Sequence, residues 1–346
     1  MERLAERKRL FNEHGERDWG KRRIIGGNPT NIMELTNVKY EWAQKLSDIM
    51  LRNFWIPEEV PLLDDAKQYL ELTADEQWAY DRMLSFVIFM DSILTVSMPN
   101  LINYVTAPEI NMCLSIHNFH EALHSKSYGY VLESVVPAER RQYIYDLWRE
   151  DRQLLERNRY IANTFQLFAD NPTDEHFVRA CMAQYVLEGI YFYSGFAFFY
   201  ALARMGKMKG TATEIQFINR DEITHVAVFQ NILNGLRQER PQLFTPQLDA
   251  DLRAMIRQAA EHEMAWAAYC VGNRIQGLSG EVLQGYVKHL ADQRARALGF
   301  EPLYGNHPNP IKWVESFSNL NQTKADFFET RVTNYAKSTN IDLDDL

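Results

Sequence analysis

The stretch NFHEALHSKSYGYV, residues 118–131, decides how this chain is read. Glu121 and His124 stand three apart, and Tyr128 follows His124 by four. A helix turns about 100° per residue, so the three fall within an arc of roughly 60° and share one face. A lone Glu-x-x-His is a common accident of a solvated helix. A second copy, Glu222 and His225 in NRDEITHVAV (219–228), gives it weight. Both pairs sit among apolar residues: Cys113, Phe119 and Leu123 near the first, Ile218, Ile223, Val226 and Val228 near the second.

Two other apolar runs each carry one isolated acid. These are Asp91 in SFVIFMDSIL (85–94) and Glu188 in AQYVLEGIYFYSGF (183–196). Burying an unpaired carboxylate is costly, and several in one core require cations to pair with. Two Glu-x-x-His motifs plus one carboxylate from each of two further helices form the ligand set of the di-metal bundle in ferritin-like proteins, here with one Asp among the acids. Four carboxylates balance two divalent ions. Oxygen ligands with one imidazole per metal suit iron or manganese better than zinc or copper. The expected fold is all-α: a ferritin-like helical bundle with a dinuclear metal site in its core and a flexible C-terminal tail.

The rest of the chain agrees. Of 346 residues, 46% are apolar, while Gly (16) and Pro (12) are scarce, which disfavours a turn-rich β fold. A net charge of −9 argues against non-specific nucleic-acid binding. Cys113, Cys181 and Cys270 show no metal-ribbon or disulfide spacing, which fits a reducing cytoplasm. The charged start MERLAERKRL carries no signal-peptide pattern. The apolar run GIYFYSGFAFFYALA (189–203) is too short to span a bilayer and comes directly after Glu188, so it reads as a core helix and no membrane is expected.

Residues 1–33 read as an irregular N-terminal segment, with Asn31 placed to cap the next one. WIPEEVPLLDD (55–65) reads as Pro-interrupted loop. Thr73 and Glu76 form a capping box. Helical patterns then run near 74–103, 108–135, 137–169, 174–205, 211–236, 245–275 and 279–297. The helical domain is taken as 34–320 and the tail as 321–346. The tail ends in ETRVTNYAKSTNIDLDDL, which is polar and lacks helical periodicity.

Tyr128 lies about 6 Å along the axis from His124, close to the metal positions without being a ligand. Its surroundings read as dry. Phe192 and Phe196 stand at i+4 and i+8 from Glu188, and Ile218 precedes Glu222 by four. An oxidised phenol survives only where water and reductants are excluded.

DSIL (91–94), HEALHSKSY (120–128), VLEGIYFY (186–193) and RDEITH (220–225), in this order, resemble the small (β, R2) subunit of class I ribonucleotide reductase. The likeness covers nearly the whole chain, including NFWIPEEV (53–60) and the tyrosine-bearing tail. It implies a metal site of Asp91, Glu121, His124, Glu188, Glu222 and His225, with Fe/Fe expected first and Mn/Fe or Mn/Mn as alternatives. It implies that Tyr128 holds a tyrosyl radical after the metals react with oxygen. The radical then serves the large (α) subunit, where ribonucleoside diphosphates are reduced to deoxyribonucleotides. Trp55 and Asp221 match the transfer route, which runs through His124. Tyr335 resembles the tail tyrosine that relays the radical, and Glu329 the glutamate before it. The last residues, IDLDDL, would dock on the large subunit, and the small subunit would be a homodimer. Position 117 departs from the pattern: some bacterial members hold tryptophan where this chain has His117. That histidine reads either as a partner orienting a carboxylate or as an ordinary buried residue.

Two other functions compete. A ferritin-like di-metal oxidase would act directly on a bound apolar substrate and needs no relay tail. An iron-storage protein would leave Tyr128, Trp55 and the tail unexplained.

Overall fold

The computed structural model describes residues 8–317. Eleven α-helices make up the body among the described residues: α1 (Glu41–Arg52), α2 (Leu63–Glu71), α3 (Ala74–Tyr104), α4 (Pro108–Val135), α5 (Ala138–Glu150), α6 (Arg152–Asp170), α7 (Asp174–Val186), α8 (Tyr193–Arg204), α9 (Lys209–Glu239), α10 (Pro246–Cys270) and α11 (Gly280–Ala297). No strand occurs among them, only isolated β-bridges. The all-α expectation holds. Four segments bring the site together: α3, α4, the α7–α8 pair and α9, with α4 packed on both α3 and α9.

The start of α3 is fixed by the expected capping box. Thr73 Oγ1 accepts from the Glu76 N–H at 3.2 Å, and Glu76 Oε2 accepts from the Thr73 N–H at 2.9 Å. The single helix expected over 137–169 is two, because Asp151 interrupts it. Its carboxylate accepts the N–H groups of Gln153 and Leu154 at the start of α6, and also Arg82 Nε and the Tyr269 hydroxyl, each at 2.8 Å. A side chain so engaged competes with continued helix.

Two helices were not foreseen. α1 lacks a side-chain cap at Tyr40 and is held by its buried stripe of Ala43, Leu46, Ser47 and Met50. Asn31 does not cap it. Its φ is +63°, and its amide donates to the carbonyls of Arg9 and Leu10. α2 begins inside the stretch read as loop, with Asp64 and Asp65 in its first turn. Asp65 also serves α9, whose residue before the first turn, Met208, is left-handed and offers no side-chain cap. The Gly210 and Thr211 N–H groups donate to Asp65 at 3.0 and 2.6 Å instead.

The apolar run 189–203 is a core helix, as its composition implied. The segment Asp174–Arg204 is apolar and long enough to cross a membrane by composition, yet 94% of its most apolar stretch is buried inside the protein. Between α7 and α8 the helix widens into a π turn, Leu187–Tyr191. Such turns insert one extra residue and recur at functional sites. Glu188 stands in this one.

Candidate metal centre

Six expected ligands meet in the core, all with no exposed surface: Asp91 from α3, Glu121 and His124 from α4, Glu188 from the π turn, Glu222 and His225 from α9. They form two overlapping clusters whose ligand atoms lie within 4.8 Å of one another. One is Asp91, Glu121, His124 and Glu222; the other is His117, Glu121, Glu188 and His225. Glu121 belongs to both, as a bridging carboxylate would.

Both Asp91 oxygens, Glu121 Oε2, Glu188 Oε2, Glu222 Oε1 and His124 Nδ1 are buried with no hydrogen-bond partner among the described residues. Buried polar groups are normally paired, so this concentration of orphans fits cations. Burial pushes the carboxyls of Asp91, Glu121 and Glu188 well above the usual range, and the Glu222 charge pushes them further. Divalent ions would remove that penalty.

The imidazoles are oriented for the task. His124 Nε2–H donates to Asp221 Oδ2 at 3.4 Å, which leaves Nδ1 facing Glu222 at 3.2 Å and Asp91 at 3.7 Å. His225 turns Nδ1 toward Glu121 (3.1 Å) and Glu222 (3.2 Å), while its Nε2 meets His120 Nδ1 at 3.2 Å. His120 was not singled out from the sequence. Its position four before His124 was the available signal. Burial lowers the His120 pKa to about 4; with the His225 proton on Nε2, His120 Nδ1 is the acceptor of that contact.

Tyr128 is buried, and its hydroxyl makes no hydrogen bond among the described residues. Burial and then the Asp91 charge raise the phenol well above its ordinary range. Phe192, Phe196 and Ile218 have no exposed surface, and Phe192 meets Phe86 edge-on at 5.8 Å.

Trp55 and Asp221 are brought to the same cluster. The Trp55 indole N–H donates to Asp221 Oδ2 at 2.8 Å, and its ring lies 6.4 Å from that of His124. Arg220 donates to Asp221 Oδ1 at 3.2 and 3.3 Å. His120, His124 and Arg220 outweigh burial and hold the Asp221 carboxyl below its usual range. Trp55 is flanked by exposed Phe54 and Ile56, so the line Trp55–Asp221–His124 runs from near the surface to the centre. Tyr335 and Glu329 lie outside the described residues.

Sequence reasoning also missed Glu214. Ser127, beside Tyr128, donates to its Oε2 at 2.6 Å. Burial raises the Glu214 pKa from 4.5 to about 8. The folded state therefore holds a proton that the unfolded chain releases, and stability falls as pH rises from 4.5 toward 8. Glu214→Gln, which mimics the protonated acid, should lie close to wild type near pH 5 and exceed it by on the order of 4 kcal/mol at pH 8. Denaturant titrations at the two pH values check this; a gap that does not widen with pH contradicts it.

A family model described as ribonucleotide reductase, small chain, matches residues 32–310. The chain is 45% identical to the ribonucleoside-diphosphate reductase subunit beta of Treponema pallidum, over 99% of this chain and 98% of that one. It is 37% identical to the subunit of the same name from Halalkalibacterium halodurans, over 97% of each. Its structure superimposes on a ribonucleotide reductase R2 subunit from Clostridium botulinum with a TM-score of 0.87 and 45% identity, covering 91% of this chain and 99% of that one.

Proposed function

We propose a mechanism from one premise: the chain belongs to the ribonucleotide reductase small-chain family and is the beta subunit of a ribonucleoside-diphosphate reductase. Its role is to generate the radical for that reaction. The finer assignments are our reading. Asp91, Glu121, His124, Glu188, Glu222 and His225 hold two metal ions, Fe/Fe first, with Mn/Fe and Mn/Mn as the other loadings. When bound, these ions activate oxygen and supply the one-electron oxidation of Tyr128.

The chain's own residues do the rest. The raised pKa keeps Tyr128 protonated at rest, so losing an electron requires losing the proton too. Asp91, the carboxylate whose charge acts most strongly on the phenol, is assigned as the proton acceptor once bound ions hold it ionised. Phe192, Phe196 and Ile218 keep water from the oxidised ring. Asp221 binds Trp55 and His124 on one oxygen, which joins the surface-side indole to the core. Tyr335 and Glu329 are assigned the relay across the interface. The tail through IDLDDL is assigned to docking on the large subunit, and the working assembly is a homodimer. The reading keeps an N-terminal segment of 1–33, a helical domain of 34–320 and a docking tail of 321–346. Three unpaired cysteines agree with a cytoplasmic setting.

The observation that carries this reading is a buried phenol without a hydrogen-bond partner beside carboxylate oxygens without partners, among the described residues. Reconstitution of the full chain with Fe(II) and O₂, then electron paramagnetic resonance and metal analysis, tests it. A tyrosyl doublet with two ions per chain is expected. Diiron without a radical, in protein purified without manganese, would revive direct oxidation of an apolar substrate. That competing reading is not favoured, because relatives along the whole chain are reductase beta subunits.

Two further outcomes separate the roles. Trp55→Phe should keep the doublet and lose turnover by at least about 100-fold, since only the outward route is cut. Equal loss of radical and turnover would place Trp55 in assembly of the centre instead. A peptide of residues 333–346, TNYAKSTNIDLDDL, should compete the subunit off its large partner in a pull-down. Binding unaffected by excess peptide would exclude the tail as the docking element.

A further inference from the structure

We infer that His117 is a seventh protein ligand, binding through Nε2 the metal ion held by Glu121, Glu188 and His225. The inference rests on the dinuclear reading and extends it. His117 has no exposed surface and lies one helical turn before Glu121 on α4. Its Nε2 stands 2.8 Å from Glu188 Oε1 and 3.0 Å from Glu121 Oε1.

These separations are those of neighbouring donors around one ion. Two atoms bound at right angles at about 2.1 Å are about 3.0 Å apart, and opposite donors about 4.2 Å. His225 Nδ1, an expected ligand, shows the same relation to Glu121 at 3.1 Å, yet stands farther from Glu188, at 3.7 Å. His117 is therefore at least as well placed as His225. All four ligand atoms fall within 4.8 Å of one another, so sub-ångström closure completes the set.

A simpler role, donating a hydrogen bond to hold Glu188, is already filled. Gln184 Nε2 donates to the same Glu188 oxygen at 2.6 Å. His117 Nδ1 is buried with no partner among the described residues, so its only acidic neighbours are the Glu121 and Glu188 carboxylates at Nε2, the same groups that would share the ion. A proton on Nδ1 leaves the Nε2 lone pair free for a metal. The ring cannot swing away, being stacked on His225 at 3.6 Å and flanked edge-on by Phe229 at 5.5 Å. The two metal positions then differ: three carboxylates and one imidazole at the first, two carboxylates and two imidazoles at the second.

The test is a crystal structure of the full chain loaded with Mn(II), with ions located by anomalous scattering. Two ions with His117 Nε2 within about 2.3 Å of the one on Glu188 are expected. Two ions with His117 Nε2 remaining beyond about 3 Å, still hydrogen-bonded to Glu188, overturn the ligand role while the dinuclear reading stands. Fewer than two ions among these carboxylates overturn the dinuclear reading itself. Calorimetric titration of His117→Gln with Mn(II) adds a solution readout, because Gln keeps an N–H donor but lacks the imidazole nitrogen. One of two binding steps should weaken on the order of ten-fold or more. Two unchanged steps in a folded variant count against the ligand role.

Discussion

Tyr128→Phe is expected to abolish the radical and leave the protein as stable as before, or more so. The substitution removes one oxygen and keeps the ring. That oxygen has no well-formed hydrogen bond among the described residues, and a buried hydroxyl without a partner costs about 1–3 kcal/mol. Its loss should therefore raise stability slightly while turnover drops by at least about 1000-fold, equivalent to about 4 kcal/mol of barrier. Metal content should stay at two ions per chain, because Tyr128 is not among the clustered ligand atoms. Electron paramagnetic resonance, metal analysis and thermal denaturation of the same sample check all three. A doublet persisting in the variant would move the radical to another residue. A large fall in stability would mean that the hydroxyl serves packing. A stability gain with complete loss of activity is the signature of a group kept for chemistry.

Asp221→Asn should damage metal binding and turnover together, unlike Tyr128→Phe. Asp221 accepts on both oxygens: Oδ1 from Arg220, Oδ2 from Trp55 and His124. An amide has one oxygen and one NH₂ group, so either orientation sets donor against donor. With NH₂ toward His124, the imidazole loses its acceptor at Nε2 and its proton is driven to Nδ1, the atom that faces the metal position. With NH₂ toward Arg220, a guanidinium that is nearly buried loses its charged partner. Metal affinity is expected to fall about 10–100-fold, as for other residues that orient ligand histidines. Turnover should fall further, by at least about 1000-fold, because the Trp55 link is disturbed as well. Metal titration and steady-state assays decide it. Full metal loading with normal turnover would remove Asp221 from both roles.

The sequence by itself determined the fold class and picked out six acids and histidines that meet in the core. Two Glu-x-x-His motifs fix their own geometry, because helical spacing places both members on one face whatever surrounds them. Asp91 and Glu188 were readable because a charged residue inside an apolar run needs a partner. The capping box at Thr73 was readable for the same local reason. Tertiary structure alone decided the rest. The π turn that carries Glu188 has no residue signature in LEGIY. α1 rests on a buried stripe whose partner helices are distant in sequence. α9 takes its N-terminal cap from Asp65, 145 residues away. His117 and His120 sit on the ligand helix, yet spacing could not say what they face. Their contacts are with Glu188 and His225, supplied by other helices. Local periodicity fixes direction on one helix; which groups meet depends on how the helices pack.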